Sequence, residues 1–121
     1  MIKEKQTFKP TILIDLDGVL NKYKGKYDEN KIPMPKEGVE KFLAKLNLEY
    51  NLVLFTTRNL LYSAKWLIKY KLDKYFVNIT NTKSPACLIL DDRAICFEGN
   101  YDILINKIKN FKVYWKINNK A

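Results

Sequence analysis

Three short apolar runs, each followed at once by polar side chains, constrain the fold of this chain more than any other feature. Runs of about four apolar residues that are rich in β-branched side chains are typical of strands buried on both faces. The runs and the residues that follow them are 11–14 with Asp15, 52–55 with Thr56, and 87–90 with Asp91. A shorter run at residues 76–79 predicts one more strand, and residues 113–117 predict a packed edge strand.

Amphipathic segments separate these strands. Pro35 is suited to the start of a first helix, and Asn59 can cap a second one. The predicted apolar faces are Val39, Phe42, Leu43 and Leu46, then Leu60, Ala64, Leu67 and Ile68, and finally Ile103, Leu104, Ile108 and Phe111. Alternating strands and helices predict an α/β fold, a Rossmann-like three-layer parallel sheet with helices on both faces.

The composition removes several classes of chemistry. The chain has no histidine, and its two cysteines, Cys87 and Cys96, form no metal-binding pattern. His-based catalysis and a closed tetrahedral zinc site are therefore excluded, which leaves a hard, oxygen-preferring ion such as Mg²⁺. We expect one domain over residues 1–121 in the reducing cytosol, because no signal core or membrane-spanning apolar run occurs.

The net charge of +9 comes from 22 basic and 13 acidic residues. A charge of this size attracts polyanions such as nucleic acid. The lysines are spread along the whole sequence, however, so a merely solvated, lysine-rich surface is the favoured interpretation and a polyanion partner the alternative.

Acidic residues follow two of the predicted strands. Asp15 and Asp17 form a D-x-D-G motif, and Asp91-Asp92 form a second pair. Because parallel strands place their carboxyl ends at one edge of the sheet, the four carboxylates are expected in one crevice, where a divalent cation offsets their repulsion. Each pair alone also suits a structural role, the first as a loop cap and the second as an ion pair with Arg93.

Taken together, the motifs resemble those of the haloacid dehalogenase (HAD) superfamily of phosphohydrolases, over roughly residues 11–97. The matching positions, in order, are Asp15-Leu-Asp17-Gly18-Val, then Thr56, then Lys83, then Asp91-Asp92. Lys83 on its own reads as one surface lysine among many, and only its place in this series singles it out. The stretch from Thr82 to Ala94 also looks like small bacterial and phage members that lack a cap domain.

The resemblance implies a role for each matched residue. Asp15 is the expected nucleophile, forming an aspartyl-phosphate, and Asp17 the acid and base. Thr56 is expected to hold the phosphoryl group through its hydroxyl and backbone amide, and Lys83 to balance the charge. Mg²⁺ is expected on the Asp15 carboxylate, the backbone carbonyl of Asp17 and Asp92, with Asp91 bound directly or through water. Retention of Asp17 favours phosphomonoester hydrolysis over dehalogenation.

Neither inter-motif segment has room for a cap, so residues 21–35 are expected to form only a small flap. The candidate substrate contacts are Tyr23, Tyr27, Thr57 and Arg58, although a surface role suits Arg58 equally well. We interpret Trp66 as packing, Cys87 as part of a buried strand, and Arg93 as a brace for the acid pair. Tyr114 and Trp115 suit either a packed strand or stacking on a base.

These features lead to a Mg²⁺-dependent phosphatase as the first hypothesis, with a phosphorylated metabolite, nucleotide or nucleic-acid end as substrate and a possible homo-oligomer. A basic binding module for a polyanion, built on the same scaffold with little turnover, is the alternative. Transfer of phosphate to an acceptor other than water is a third possibility. Hydrolysis of an aryl phosphate with and without Mg²⁺ separates the first two.

Overall fold

The computed structural model describes residues 8–116 and contains a four-stranded parallel sheet flanked by helices. The strands lie in the order β3-β2-β1-β4. Along the chain the elements are β1 (Thr11–Ile14), α1 (Val39–Asn47), β2 (Asn51–Phe55), α2 (Leu60–Lys69), β3 (Phe76–Thr80), β4 (Leu88–Leu90) and α3 (Tyr101–Asn110). Two short 3₁₀ turns, Asp73–Tyr75 and Tyr114–Lys116, complete the described chain. The predicted small α/β, Rossmann-like architecture is confirmed.

After their first residues, Thr11 and Asn51, the central strands β1 and β2 are apolar because both of their faces are covered. Alternate residues of each strand join one core cluster with the inward faces of α1 and α2. Its principal members are Ile12, Ile14, Leu52, Leu54, Val39, Leu43, Trp66 and Leu67. Leu13 and Val53 alternate with these residues, so they point to the opposite face, and they are also buried.

The predicted face of α2 is rotated in the structure. Ser63, Trp66 and Leu67 are its buried residues, whereas Ile68 is 60% exposed. Trp66 decides the rotation, because its indole N–H donates to the Pro33 carbonyl at 2.9 Å and carries the largest ring of the helix inward. The interpretation of Trp66 as packing is therefore confirmed. The cap is confirmed too, since the Asn59 side chain accepts from the Tyr62 amide.

The β4–α3 side of the molecule is much more exposed than its apolar sequence predicts. The strand begins at Leu88, and Cys87 precedes it as an exposed residue, so the prediction that Cys87 belongs to a buried strand is wrong. The reason is that, among the strands of residues 8–116, β4 pairs with β1 alone and is therefore an edge strand. The last helix forms as predicted, but none of its residues is buried, and Ile108 is 59% exposed.

The prediction of an edge strand over residues 113–117 is wrong for the described residues. Residues 113–116 form no strand, and Tyr114–Lys116 is a 3₁₀ turn anchored by the buried side chain of Val113. Residue 117 lies outside the described residues. Alternating aromatic and charged residues suit a half-buried strand, and the sequence carries no signal for the contacts that this turn makes instead.

The flap forms between β1 and α1. A single antiparallel bridge joins Asn21 to Pro35 and closes the intervening segment at its base. Between Thr56 and Lys83 the chain contains only α2, one 3₁₀ turn and β3. In residues 8–116 no helix combines the length and the apolar character needed to cross a membrane.

Candidate functional site

Strand register brings three carboxylates together at the carboxyl edge of the sheet. Ile14 pairs with Leu90 across the β1–β4 ladder, so Asp15 and Asp91 emerge side by side, and the Asp15 amide donates to the Leu90 carbonyl at 3.0 Å. Carboxylate oxygens of Asp15, Asp91 and Asp92 all lie within 4.8 Å of one another. The predicted convergence of the two acidic motifs is thus present for three of the four side chains.

This crowding has an electrostatic consequence for Asp15. Burial, followed by the neighbouring charges of Asp91 and Asp92, raises the pKa of Asp15 from 3.8 to about 8, although the Leu16 amide partly offsets the rise. Three carboxylates in one partly buried crevice are unfavourable unless a proton or a cation lowers their charge. Oxygen-only donors without His or Cys suit a hard divalent ion, and the arrangement therefore fits Mg²⁺.

Asp17 faces a different set of partners. Its carboxylate accepts from the Asn21 side-chain amide at 2.9 Å and from Arg58 Nε at 2.8 Å. Asn21 is itself fully buried, and its carbonyl oxygen accepts from the amides of Gly18 and Tyr23. The Asp17 carboxylate is therefore not part of the three-carboxylate group, and its predicted contribution to a metal would come from its backbone carbonyl alone.

Arg58 is a buried residue. Its side chain is only 2% exposed, so the surface role is wrong, whereas the substrate contact stays a prediction. Besides pairing with Asp17, it donates from Nη1 to the Asp28 carbonyl at 2.9 Å and lies 4.5 Å from the centre of the Tyr27 ring. Arg58 thus joins Asp17 to the flap. Its Nη2 atom is buried without a hydrogen-bond partner.

Thr56 is buried at the end of β2, as expected for a residue that presents a hydroxyl to the crevice. Its backbone amide donates to the Thr80 carbonyl, so that amide is engaged in the sheet edge and is not free for a phosphoryl oxygen. The Thr56 hydroxyl accepts from the Arg58 amide at 3.1 Å and keeps its own hydrogen as a donor. Thr57, the next residue, is exposed.

Neither of the predicted cationic side chains forms an ion pair with the three carboxylates in the part of the chain that the structure describes. Lys83 lies in the exposed segment that leaves β3, and within residues 8–116 it forms no ion pair with Asp15, Asp91 or Asp92. Arg93 braces the acid pair through its backbone, since its amide donates to Asp91 at 3.0 Å. The guanidinium of Arg93 makes no salt bridge in the part of the chain described, so the predicted ion pair is wrong.

The C-terminal 3₁₀ turn closes one side of the site. The Trp115 indole N–H donates to Asp92 Oδ2, and the Tyr114 hydroxyl donates to the Gly18 carbonyl, both at 2.5 Å. Trp115 also packs edge-to-face on Tyr23, with ring centres 5.3 Å apart. Gly18 has a φ of 83°, and a Cβ there would overlap the Asp92 carboxylate, so this close approach requires glycine.

Three contacts were missed from the sequence. Asn21 follows the first motif by only a few residues, and its capacity to close an Asx-type turn was a usable signal. Asn81, whose side chain donates to the carbonyls of Thr56 and Arg58, carried no such signal. Neither did Trp115, because its contact with Asp92 spans 23 residues.

Comparison with known proteins adds evidence on the fold alone. No protein-family profile and no curated protein sequence matches the chain. The chain is similar in structure to a conserved protein from Bacteroides thetaiotaomicron, with a TM-score of 0.58 and 21% sequence identity. The similarity covers 93% of this chain and 100% of the other, and it supports the α/β architecture described above.

Proposed function

We propose that the chain is a Mg²⁺-dependent phosphomonoesterase of the HAD type, without a cap domain. The observation that carries this proposal is the convergence of Asp15, Asp91 and Asp92 at the carboxyl edge of a parallel sheet, with carboxylate oxygens within 4.8 Å of one another. Ligands of such sheets bind at this edge. The short flap and the absence of an inserted domain between the motifs of the described chain support the capless form.

The cation is held, in this proposal, by the carboxylates of Asp15, Asp91 and Asp92 and by the backbone carbonyl of Asp17. When bound, Mg²⁺ supplies positive charge that offsets the negative charge of the phosphoryl oxygens. The donor set contains oxygen atoms alone, as this ion prefers. The same charge favours the ionised form of Asp15, which its surroundings otherwise disfavour.

Asp15 acts as the nucleophile. One of its carboxylate oxygens forms a bond to phosphorus while the bond from phosphorus to the leaving oxygen breaks, which gives an aspartyl-phosphate and an alcohol. Asp17 gives a proton to the leaving oxygen and later takes one from the water that hydrolyses the intermediate. Asn21 and Arg58 fix the orientation of Asp17, and the Thr56 hydroxyl donates to the phosphoryl group.

Lys83 has the remaining proposed role, which is to balance phosphoryl charge. It lies three residues beyond the end of β3, in the exposed segment that begins at the same edge of the sheet. Within the described residues it forms no ion pair with the carboxylates, and the proposed role requires its ammonium group to contact bound phosphate. Substitution Lys83→Ala compared with Lys65→Ala, an exposed lysine on α2, tests that requirement.

The direct test is hydrolysis of p-nitrophenyl phosphate by the purified protein with Mg²⁺, with EDTA, and with Mg²⁺ restored. We expect activity only when Mg²⁺ is present, and none in Asp15→Asn under any condition. Activity that survives EDTA would contradict the proposed metal. Complete inactivity, together with retained binding of polyanions, would instead favour the binding-module hypothesis.

A further inference from the structure

A groove lies beside the three-carboxylate site, on the flap side of the C-terminal turn. It has a volume of about 570 Å³ and is lined by Lys22, Tyr23, Lys24, Lys36, Glu37, Tyr114 and Trp115. The proposed mechanism uses none of these residues. Pockets of some 300–1,000 Å³ accommodate small organic ligands, so the groove is large enough for a group attached to the reacting phosphate.

Trp115 physically connects the groove to the carboxylates. Its indole nitrogen contacts Asp92, while its ring forms part of the groove wall. The hydrogen bond uses Oδ2 of Asp92 and leaves Oδ1 available to a cation, the arrangement by which an outer residue orients a metal ligand. A ligand whose phosphate lies at the carboxylates therefore has its remaining atoms next to an aromatic ring.

The groove combines aromatic rings with positive charge. Tyr23 and Trp115 meet edge to face and are both half-buried, and Tyr114 is 47% exposed. The Lys36 ammonium lies 5.1 Å from the centre of the Tyr114 ring. The lining contains three lysines and one glutamate, so its charge favours an anionic ligand.

We propose that this groove binds the nucleoside part of a phosphorylated nucleoside, which is the substrate class of the site. The inference rests on the proposed phosphatase function for its chemistry. Flat, π-rich bases stack on aromatic side chains, and lysines neutralise adjacent phosphates. A sugar phosphate offers no flat face to Tyr23 and Trp115, and a simple aliphatic phosphate would leave the groove unfilled. The same chemistry is presented by a free nucleotide and by the terminal nucleotide of a single strand.

Binding measurements test the groove without relying on turnover. Calorimetric titrations of Asp15→Asn in Mg²⁺ would compare thymidine 5′-monophosphate with 2-deoxyribose 5-phosphate, which differ only by the base. We expect the nucleotide to bind at least about tenfold more tightly, the usual size of one base–aromatic stack. Adding Tyr23→Leu should remove most of that difference, and Tyr114→Leu should reduce it.

Tyr62→Leu is the matched control, because Tyr62 is 44% exposed and lies on α2, outside the groove. It should leave the affinity for the nucleotide unchanged. Thermal melting of each variant would verify folding, and Tyr114→Leu provides an independent test if Tyr23→Leu unfolds the protein. A 5′-phosphorylated thymidine pentamer distinguishes a free nucleotide from the terminal nucleotide of a single strand. If the pentamer binds more tightly than the mononucleotide, and with greater sensitivity to salt, the ligand is a strand end. If the two bind equally, the ligand is a free nucleotide.

Equal affinities for the nucleotide and the sugar phosphate would overturn the inference, as would a base preference that survives both groove substitutions. The hydrolysis assay on the wild-type protein distinguishes failure of the groove inference from failure of the proposed phosphatase function. Mg²⁺-dependent hydrolysis without base preference would remove the groove inference alone. Base-dependent binding through Tyr23, without any hydrolysis, would remove the phosphatase and leave a nucleotide-binding groove.

Discussion

Asp15 and Asp17 are separated by one residue, yet they occupy opposite electrostatic environments. Asp15 lies among two further carboxylates, and its pKa is raised to about 8. Asp17 is held by one positive and one neutral donor, Arg58 and Asn21. Alternation along an extended strand would place both carboxylates on one face, but β1 ends at Ile14 and the chain turns from Leu16 to Leu20, so Asp17 no longer follows the strand.

The comparison teaches that the two acids of the D-x-D motif depend on different sources of positive charge. The Asp15 side is short of positive charge and fits a cation from solution. The Asp17 side has its cation supplied by the protein, in a guanidinium that is 2% exposed. Loss of charge at Asp15 should therefore cost activity but not stability, whereas loss of charge at Asp17 should cost both.

Substitution of Asp15 should produce the largest loss of activity, without a loss of stability. We expect Asp15→Asn to lower phosphatase activity by more than about a thousandfold, since the nucleophile is lost. Its free energy of unfolding without metal should be equal or higher, because one of three crowded charges disappears. Activity assays and urea unfolding measure both, and near-wild-type activity in a pure sample would contradict the mechanism.

Arg58 tests the other side of the contrast. Arg58→Met should lower the free energy of unfolding by about 3 kcal/mol, because Asp17 loses its buried partner and the Asp28 carbonyl loses a donor. Arg93→Met is the control, since Arg93 is exposed and its contact with Asp91 uses the backbone, and it should change stability by less than about 0.5 kcal/mol. If urea unfolding gives the same decrease in the free energy of unfolding for both variants, the buried pair of Arg58 and Asp17 does not stabilise the fold more than an exposed arginine does.

The two acids of the second pair should differ in their effect on the cation. Asp92→Asn is expected to weaken Mg²⁺ activation more than Asp91→Asn, with a difference of about tenfold, since Asp92 matches the directly coordinating acid and is oriented by Trp115. The concentration of Mg²⁺ that gives half-maximal activity measures this. The reverse order would assign the principal ligand to Asp91.

A smaller effect should appear in the pH dependence of stability without metal. Because the pKa of folded Asp15 lies above its ordinary value, the folded state retains a proton that the unfolded chain has lost between about pH 4 and 8. This group's contribution to stability therefore falls as pH rises through that interval. The melting temperature in EDTA should decline from pH 6 to 9, and the decline should be shallower in Asp15→Asn and in excess Mg²⁺. Identical slopes in EDTA would show that Asp15 is not the titrating group.

Local sequence patterns were sufficient for the framework of the fold. The strand at residues 11–14 was predicted with its observed bounds, because a β-branched run followed by an acid has few other solutions. The convergence of Asp15 with Asp91 and Asp92 followed from the edge rule for parallel strands. The HAD assignment, the metal and the catalytic roles remain predictions.

The remaining features depended on tertiary contacts that no local pattern encodes. Arg58 follows a strand end, where an exposed residue is expected, and only the folded flap and Asp17 bury it. Trp115 and Cys87 were misjudged for related reasons, since one contacts a carboxylate distant in sequence and the other precedes an edge strand.

The pairing of β4 with β1 also has a consequence for the order of folding. Asp15 is translated before its two acidic neighbours, which arrive only with the strand that pairs beside it. The paired residues Ile14 and Leu90 are 76 residues apart. Distant pairings close late, because a long loop must first be ordered. Asp15 therefore ionises normally in a nascent chain, and its raised pKa arises only when the last strand docks. A partly folded chain that already contains β1 and β2 can have a native-like core and still lack any affinity for a cation.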